Sequence, residues 1–333
     1  MTERTRVVVT GAGGFIGSHL VTYLRERGYW VRGVDVKEPE FRPTDADEFL
    51  LLDLRERANA ERAVEGMDEV YALAADMGGM GYIAHNHARI LHHNALINLH
   101  TIEAARTAGV GRYLFTSSAC VYPEYLQQAP QVRPLRETDV LPAQPQDAYG
   151  WEKLMGELLC DYYAGDYGLR IRIARFHNIF GPYGTWEGGR EKAPAALCRK
   201  VAEAKLSGDD AIEIWGDGEQ TRSFCYIDDC LEGLYRLMQS DHAEPLNIGQ
   251  DRMVTINALA DIITDVAGVR VRKIHVPGPQ GVRGRNSDNS RLRAVLGWQP
   301  RISLEEGLER TYMWIESQVR ERLEVGRPVV PAG

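Results

Sequence analysis

Tyr149 and Lys153 stand four residues apart in Tyr149-Gly150-Trp151-Glu152-Lys153, one turn of a helix, so both side chains fall on one face. A phenol ordinarily gives up its proton near pH ~10, and an ammonium one turn away lowers that value. The pair therefore suits removal of an alcohol proton while a hydride leaves for an acceptor. Ser118, closing Thr116-Ser117-Ser118 at a predicted strand end, offers a hydroxyl to the same substrate oxygen. Tyr-x-x-x-Lys recurs by chance, so this reading depends on an acceptor being near.

The acceptor is written near the N-terminus. Gly11-Ala12-Gly13-Gly14-Phe15-Ile16-Gly17 gives Gly-x-x-Gly-x-x-Gly between the apolar run Arg6 to Thr10 and the helical pattern Phe15 to Arg27. Missing side chains let backbone approach a pyrophosphate, and the helix N-terminus presents unpaired N–H groups to it. Asp35, ending the next strand, can accept hydrogen bonds from both ribose hydroxyls and repels a 2′-phosphate. Together these predict NAD as the cofactor, although Lys37 weakens the case against the 2′-phosphorylated form.

These groups must be positioned by regular elements. Strand patterns at Arg6 to Thr10, Trp30 to Val34, Glu48 to Leu52, Glu69 to Ala74, Arg112 to Ser117 and Arg170 to Arg175 alternate with helical ones, including Ala88 to Ala108 and Tyr149 to Asp166. Such alternation predicts an α/β fold of Rossmann type: a doubly wound parallel sheet with helices on both faces. From about Phe180 the pattern breaks at Gly181-Pro182-Tyr183-Gly184, and helical patterns at Leu259 to Ala267 and Leu304 to Arg322 flank an irregular stretch, 277–285. The expected division is a cofactor domain of residues 1–178, with 224–250 returning to it, and a smaller mixed α/β substrate lobe of 179–223 and 251–333. Val329 to Gly333 reads as a loose tail.

Composition narrows the function classes. With 39 Lys+Arg against 47 Asp+Glu, the net charge of -8 disfavours nucleic acid or an anionic membrane as the main partner. Five scattered cysteines without a Cys-x-x-Cys pair point to free thiols in a reducing compartment, expected to be the cytoplasm. No stretch reaches the ~18 apolar residues of a membrane span. His85, His87, His92, His93 and His100 lack metal-ligand spacing, so no metal is expected and a polar or interface-facing helix is.

The glycine loop, Asp35, Ser118 and the Tyr149/Lys153 pair resemble the extended short-chain dehydrogenase/reductase superfamily, in its nucleotide-sugar branch. Arg175-Phe176-His177-Asn178-Ile179-Phe180-Gly181-Pro182, the stretch Arg222 to Asp229, and Leu296-Gly297-Trp298-Gln299-Pro300 are similar to that branch's later motifs, so the likeness runs nearly the whole chain. Three further stretches are more specific: Ala75 to Gly81, Ser117 to Glu124, and Gly184 to Pro194. They resemble the 3,5-epimerases of the branch, which act on GDP-mannose, and Gly284 to Asn289 fits the same group.

That resemblance implies a proton-exchanging pair, Cys120 and Lys192, working on a sugar whose C4 has become a ketone. It implies cofactor contacts at Gly11, Gly14, Phe15, Ile16, Gly17, Asp35 and Asp53, with Tyr149 and Lys153. Substrate contacts are expected at Gly78, Gly79, Ser118, Asn178, Glu191, Lys192, Lys200, Gln220, Thr221, Arg222 and Arg285, and association as a homodimer. The branch's 4,6-dehydratases carry an Asp-Glu pair where this chain has Ala119 and Cys120, which argues against elimination. A 4-epimerase needs no proton pair, and a non-catalytic NAD sensor would not need Tyr149 and Lys153.

Overall fold

Val7, Val8 and Val9 are wholly buried, yet they serve two different cores. In the computed structural model, which describes residues 4–326, Val7 and Val9 face one side of a sheet and Val8 the other. Alternation of side chains along a strand buried on both faces explains why the run is apolar throughout. The expected tail at residues 329–333 lies outside the described residues.

Seven strands form this sheet in the order Pro245–Ile248, Ile171–Phe176, Arg112–Ser118, Glu69–Ala72, Arg6–Thr10, Trp30–Asp35, Glu48–Leu51. All neighbouring pairs are parallel. Chain order reverses between Arg6–Thr10 and Glu69–Ala72, and a crevice opens beyond the carboxyl ends of strands at such a point. One face is covered by the helices Phe15–Glu26 and Ile227–Gln239, through Leu20, Leu24, Leu231 and Leu234. The other is covered by Arg57–Val64, His87–Thr107 and Ala148–Tyr167, through Val64, Ile102 and Cys160. Each such aliphatic side chain contributes roughly 1.5–3 kcal/mol on burial.

The second lobe packs the helices Ala193–Ser207, Ile256–Ala267 and Leu304–Glu324 against one another. It adds the parallel pair Ala211–Trp215 and Arg272–Val276 and a three-stranded sheet of Met253–Thr255, Thr221–Ser223 and Gly284–Arg285. Its buried residues, among them Leu197, Leu259 and Leu308, share one core with the face of the large sheet covered by Phe15–Glu26 and Ile227–Gln239. The stretch 277–285 is irregular until its last two residues, which pair with Thr221 and Arg222. Two residues carry no readable period, but the pairing fixes Arg285 beside Arg222.

Candidate active site

At the glycine loop, three glycines are required by three different close approaches. A Cβ on Gly11 would lie 2.9 Å from the Ala74 nitrogen, one on Gly13 2.0 Å from the Lys37 carbonyl oxygen, and one on Gly17 2.1 Å from that of Gly11. The helix Phe15–Glu26 opens at Gly14 with no side-chain cap, so its first N–H groups remain for a ligand. Asp35 accepts the Gly13 N–H at 2.9 Å and the Val36 N–H at 2.6 Å; burial raises its pKa, with these donors opposing. Phe15 packs its ring under Gly184, where a Cβ would sit 3.1 Å away, and Ile16 joins the core. Asp53 is engaged by Arg55 at 2.9 Å, which holds its carboxyl below the usual range. An open glycine cradle, an uncapped helix end and a carboxylate at the next strand end fit a dinucleotide.

Ser118 ends its strand, and its hydroxyl accepts the Cys120 N–H at 3.2 Å, starting the tight turn Ala119–Val121. The Cys120 sulfur takes the Arg285 Nη1 donor at 3.3 Å, while Arg285 Nε donates to Gln127 Oε1 at 2.6 Å. Asp147 caps the helix Ala148–Tyr167 by accepting the Gly150 N–H at 2.9 Å, which fixes Tyr149 in the first turn. Gly150 lets this helix abut the cysteine turn: a Cβ there would lie 2.2 Å from the Cys120 carbonyl oxygen. Tyr149 is buried with Ile83 and Ile90, and Met77, Tyr82 and Cys120 pack at the edge of that cluster.

Lys153 Nζ lies 5.6 Å from the Tyr149 ring centre and 3.8 Å from Glu152 Oε1. In the chain alone the net shift of the phenol is upward. Burial raises Tyr149 well above its ordinary value, the charges of Cys120 and Glu152 add to that, and the Ser118 hydroxyl opposes it. The polypeptide alone therefore favours a protonated phenol.

Lys192 immediately precedes the helix Ala193–Ser207. Burial lowers the pKa of its ammonium, and the nearby Cys120 and Cys230 act in the opposite sense. Next to it, Glu191 Oε1 accepts from Arg199 at 3.2 Å while Oε2 is buried without a partner. Arg222 is pushed down to about 9 by burial and by Arg285; it donates to the carbonyls of Thr221 at 2.7 Å and Gln280 at 3.1 Å. Gln220 donates to the Trp215 carbonyl at 3.2 Å, leaving its own buried Oε1 unpartnered. Asn178 donates to the Ser223 carbonyl at 2.9 Å, and the Thr221 hydroxyl to that of Pro130.

Ser118, Cys120, Tyr149 and Arg285 thus meet directly, with Lys192 and Arg222 close enough for the Cys120 charge to act on both. Lys200 is turned toward the strand Ala211–Trp215, its ammonium on the Glu213 carbonyl at 2.8 Å. Gly78 and Gly79 lie on the loop facing the Lys192 segment, and the Gly79 N–H donates to the Arg190 carbonyl at 3.0 Å. Sequence reasoning did not single out Gln127, which orients Arg285, or Glu152, which neighbours Lys153. Neither carries a spacing signal, because each acts through a partner distant in the chain or through burial.

Residues 7–249 match the NAD dependent epimerase/dehydratase family. The chain belongs to that family. It is 49% identical over 330 residues to a GDP-mannose 3,5-epimerase of Arabidopsis thaliana, covering 98% of this chain and 86% of the relative. In fold it is similar to a UDP-glucose 4-epimerase solved with UDP-glucose from Thermotoga maritima, with a TM-score of 0.86 at 28% identity over 95% of this chain and all of that one. A UDP-glucose 4-epimerase of Thermus thermophilus, solved in complex with NAD, superposes with a TM-score of 0.81 at 25% identity, covering 93% of this chain and 99% of the other. As a member of the NAD dependent epimerase/dehydratase family the chain uses NAD, and the glycine cradle with Asp35 is built for it.

Proposed function

We propose that this protein is a GDP-mannose 3,5-epimerase, converting GDP-mannose to GDP-L-galactose and GDP-L-gulose. The observation that carries the reading is a thiol, Cys120, packed beside Tyr149 and close enough to the half-buried Lys192 amine for its charge to act on it. The Arabidopsis relative's activity agrees with it.

Gly11, Gly14, Phe15, Ile16, Gly17, Asp35 and Asp53 would hold NAD, which when bound would supply the hydride acceptor and donor for the sugar C4. Tyr149 takes and gives back the proton of the C4 hydroxyl, Ser118 fixes that oxygen, and Lys153 together with the nicotinium of bound NAD would supply the positive charge that opposes burial of the phenol. A C4 ketone acidifies the hydrogens on C3 and C5. Inverting either carbon needs one group to remove a proton from one face and another to return one on the opposite face. Cys120 and Lys192 are those two groups. Burial lowers the pKa of the Lys192 ammonium, which favours release of its proton.

Arg222 and Arg285 present guanidinium donors suited to the diphosphate. Gly78, Gly79, Asn178, Gln220 and Thr221 hold the sugar and nucleotide, with Lys200 joining them only if its ammonium leaves the Glu213 carbonyl, and the unpartnered Glu191 Oε2 accepts a sugar hydroxyl. In this reading residues 1–178 with 224–250 form the cofactor domain, and 179–223 with 251–333 the substrate lobe.

Association as a homodimer is supported by an exposed apolar surface on two adjacent helices. Trp151, Met155, Leu158 and Tyr162 recur along one, with Leu91 and Leu99 on the other. Leu158→Glu should yield a monomer in sedimentation, and an unchanged dimer would remove this face from the interface. Five unpaired cysteines support a reducing, cytoplasmic setting; oxidised thiols in protein isolated without reductant would contradict it. GDP-mannose turned over in heavy water tests the whole reading, with deuterium expected at C3 and C5. Label at neither carbon with inversion at C4 would mark a 4-epimerase; a 6-deoxy-4-keto product would mark a dehydratase.

A further inference from the structure

Lys192 ends a loop in which Gly188 and Gly189 both take positive φ, 86° and 83°, and which is tied at either flank. On the lobe side Arg199 holds both the Trp186 carbonyl, at 3.1 Å, and Glu191, at 3.2 Å. On the sheet side the backbone tie is the Gly79 N–H on the Arg190 carbonyl, a contact so close that a Cβ on Gly79 would lie 2.5 Å from the Glu191 carbonyl oxygen. The side-chain tie is Arg190. Its guanidinium lies 3.9 Å over the Tyr82 ring and 3.8 Å from Asp76.

Asp76 is a hub. Its carboxylate accepts from Tyr82 OH at 2.8 Å and from Arg89 and His93, each at 3.1 Å. Its backbone N–H donates to Asn94 Oδ1 at 2.6 Å, and Asn94 Nδ2 donates to Glu152 Oε2 at 3.1 Å. Glu152 Oε1 takes Asn98 Nδ2 at 2.5 Å and stands 3.8 Å from Lys153 Nζ. A continuous polar chain thus runs from Lys153, beside the redox tyrosine, to Arg190, two residues from Lys192.

We infer that Arg190 is a positioning residue: through Asp76 and Tyr82 it keeps the Lys192 loop in register with the Tyr149–Lys153 pair. This rests on the reading of Lys192 as one of the two proton-exchanging groups. Arg190 is half-exposed, so its ion pair adds little to stability, and its effect is on where the Lys192 amine stands. Proton transfer is sensitive to that position, since a displacement of ~1 Å costs as much as about a hundredfold.

The test separates two steps in one preparation: reduction of the bound nicotinamide by GDP-mannose, and deuterium entry at C3 and C5. Arg190→Ala is expected to keep the first within about twofold, because an exposed pair stabilises little, and to slow the second at least about tenfold. Arg190→Lys should recover part of the exchange, as an ammonium can still pair with Asp76 under Tyr82. Asp76→Asn should show the same split. Equal loss of both steps, or loss of neither, in Arg190→Ala would overturn the inference. Failure of the wild-type protein itself to exchange would instead overturn the assignment of Lys192.

Discussion

Gly150→Ala adds a single methyl group in the first turn of the helix that carries Tyr149, and its effect can be worked from the contact it makes. The new Cβ would lie 2.2 Å from the Cys120 carbonyl oxygen and 2.8 Å from Pro145 Cβ. An ordinary contact begins near 3.4 Å, so the methyl falls about 1.2 Å short of the room it needs against backbone. Neither partner is the flexible end of a side chain. The helix start is fixed by Asp147 and the cysteine turn by the Ser118 hydroxyl, so the strain must separate Tyr149 from Cys120. Overpacking of this kind costs about 1–3 kcal/mol of stability, and a shift of ~1 Å between catalytic groups costs about a hundredfold in rate. The assay is deuterium exchange at C3 and C5 beside a thermal melt. We expect a folded protein with a modestly lowered Tm and exchange slowed about ten- to hundredfold. Wild-type exchange in a folded Gly150→Ala protein would refute the argument that this contact sets the geometry of the site.

Gly17→Ala places a Cβ 2.1 Å from the Gly11 carbonyl oxygen, and the protein should retain NAD about ten- to hundredfold more weakly, corresponding to 1–3 kcal/mol of overpacking. NAD released per chain on denaturation measures this, and wild-type stoichiometry would contradict it. A pH effect follows from two buried histidines, which burial lowers to about 4 for His19 and about 3 for His177. Folding keeps both neutral while the unfolded chain protonates them near ~6.5, so the stability they contribute is complete above that pH. It is lost as pH falls through the window toward 4 and 3, and at pH ~5 the loss is about 2 kcal/mol for each. His19→Gln should lessen the drop in urea-unfolding free energy between pH ~7.5 and ~5 by about 2 kcal/mol. An unchanged drop would show that His19 is not held neutral.

Much of the fold was legible because it is written in periods. The Arg6 to Thr10 run and the helix that follows are local patterns, and both stand where the sequence placed them. The glycine loop was legible as well, because each glycine answers a steric demand made within one strand–turn–helix unit or by its neighbouring strands. Cys120 and Lys192 were not legible from spacing: they are 72 positions apart and drew attention only through motif resemblance. The state of Tyr149 could not be read either. Spacing showed a lysine one turn away, whereas the phenol's net pKa shift is upward, from burial together with Cys120 and Glu152. Asp76 lay inside a quoted motif, but its role as a hub depends on Asn94, His93 and Arg190, which converge only after the sheet and lobe have formed.

The central claim is that Cys120 moves a sugar proton after, and separately from, oxidation at C4. Cys120→Ala protein carrying its NAD, mixed with GDP-mannose in heavy water, tests it most directly. The account expects the bound nicotinamide still to be reduced while deuterium entry into the ring falls at least about a hundredfold, the usual contribution of a positioned acid or base. Entry of deuterium at C3 and C5 at the wild-type rate would contradict it.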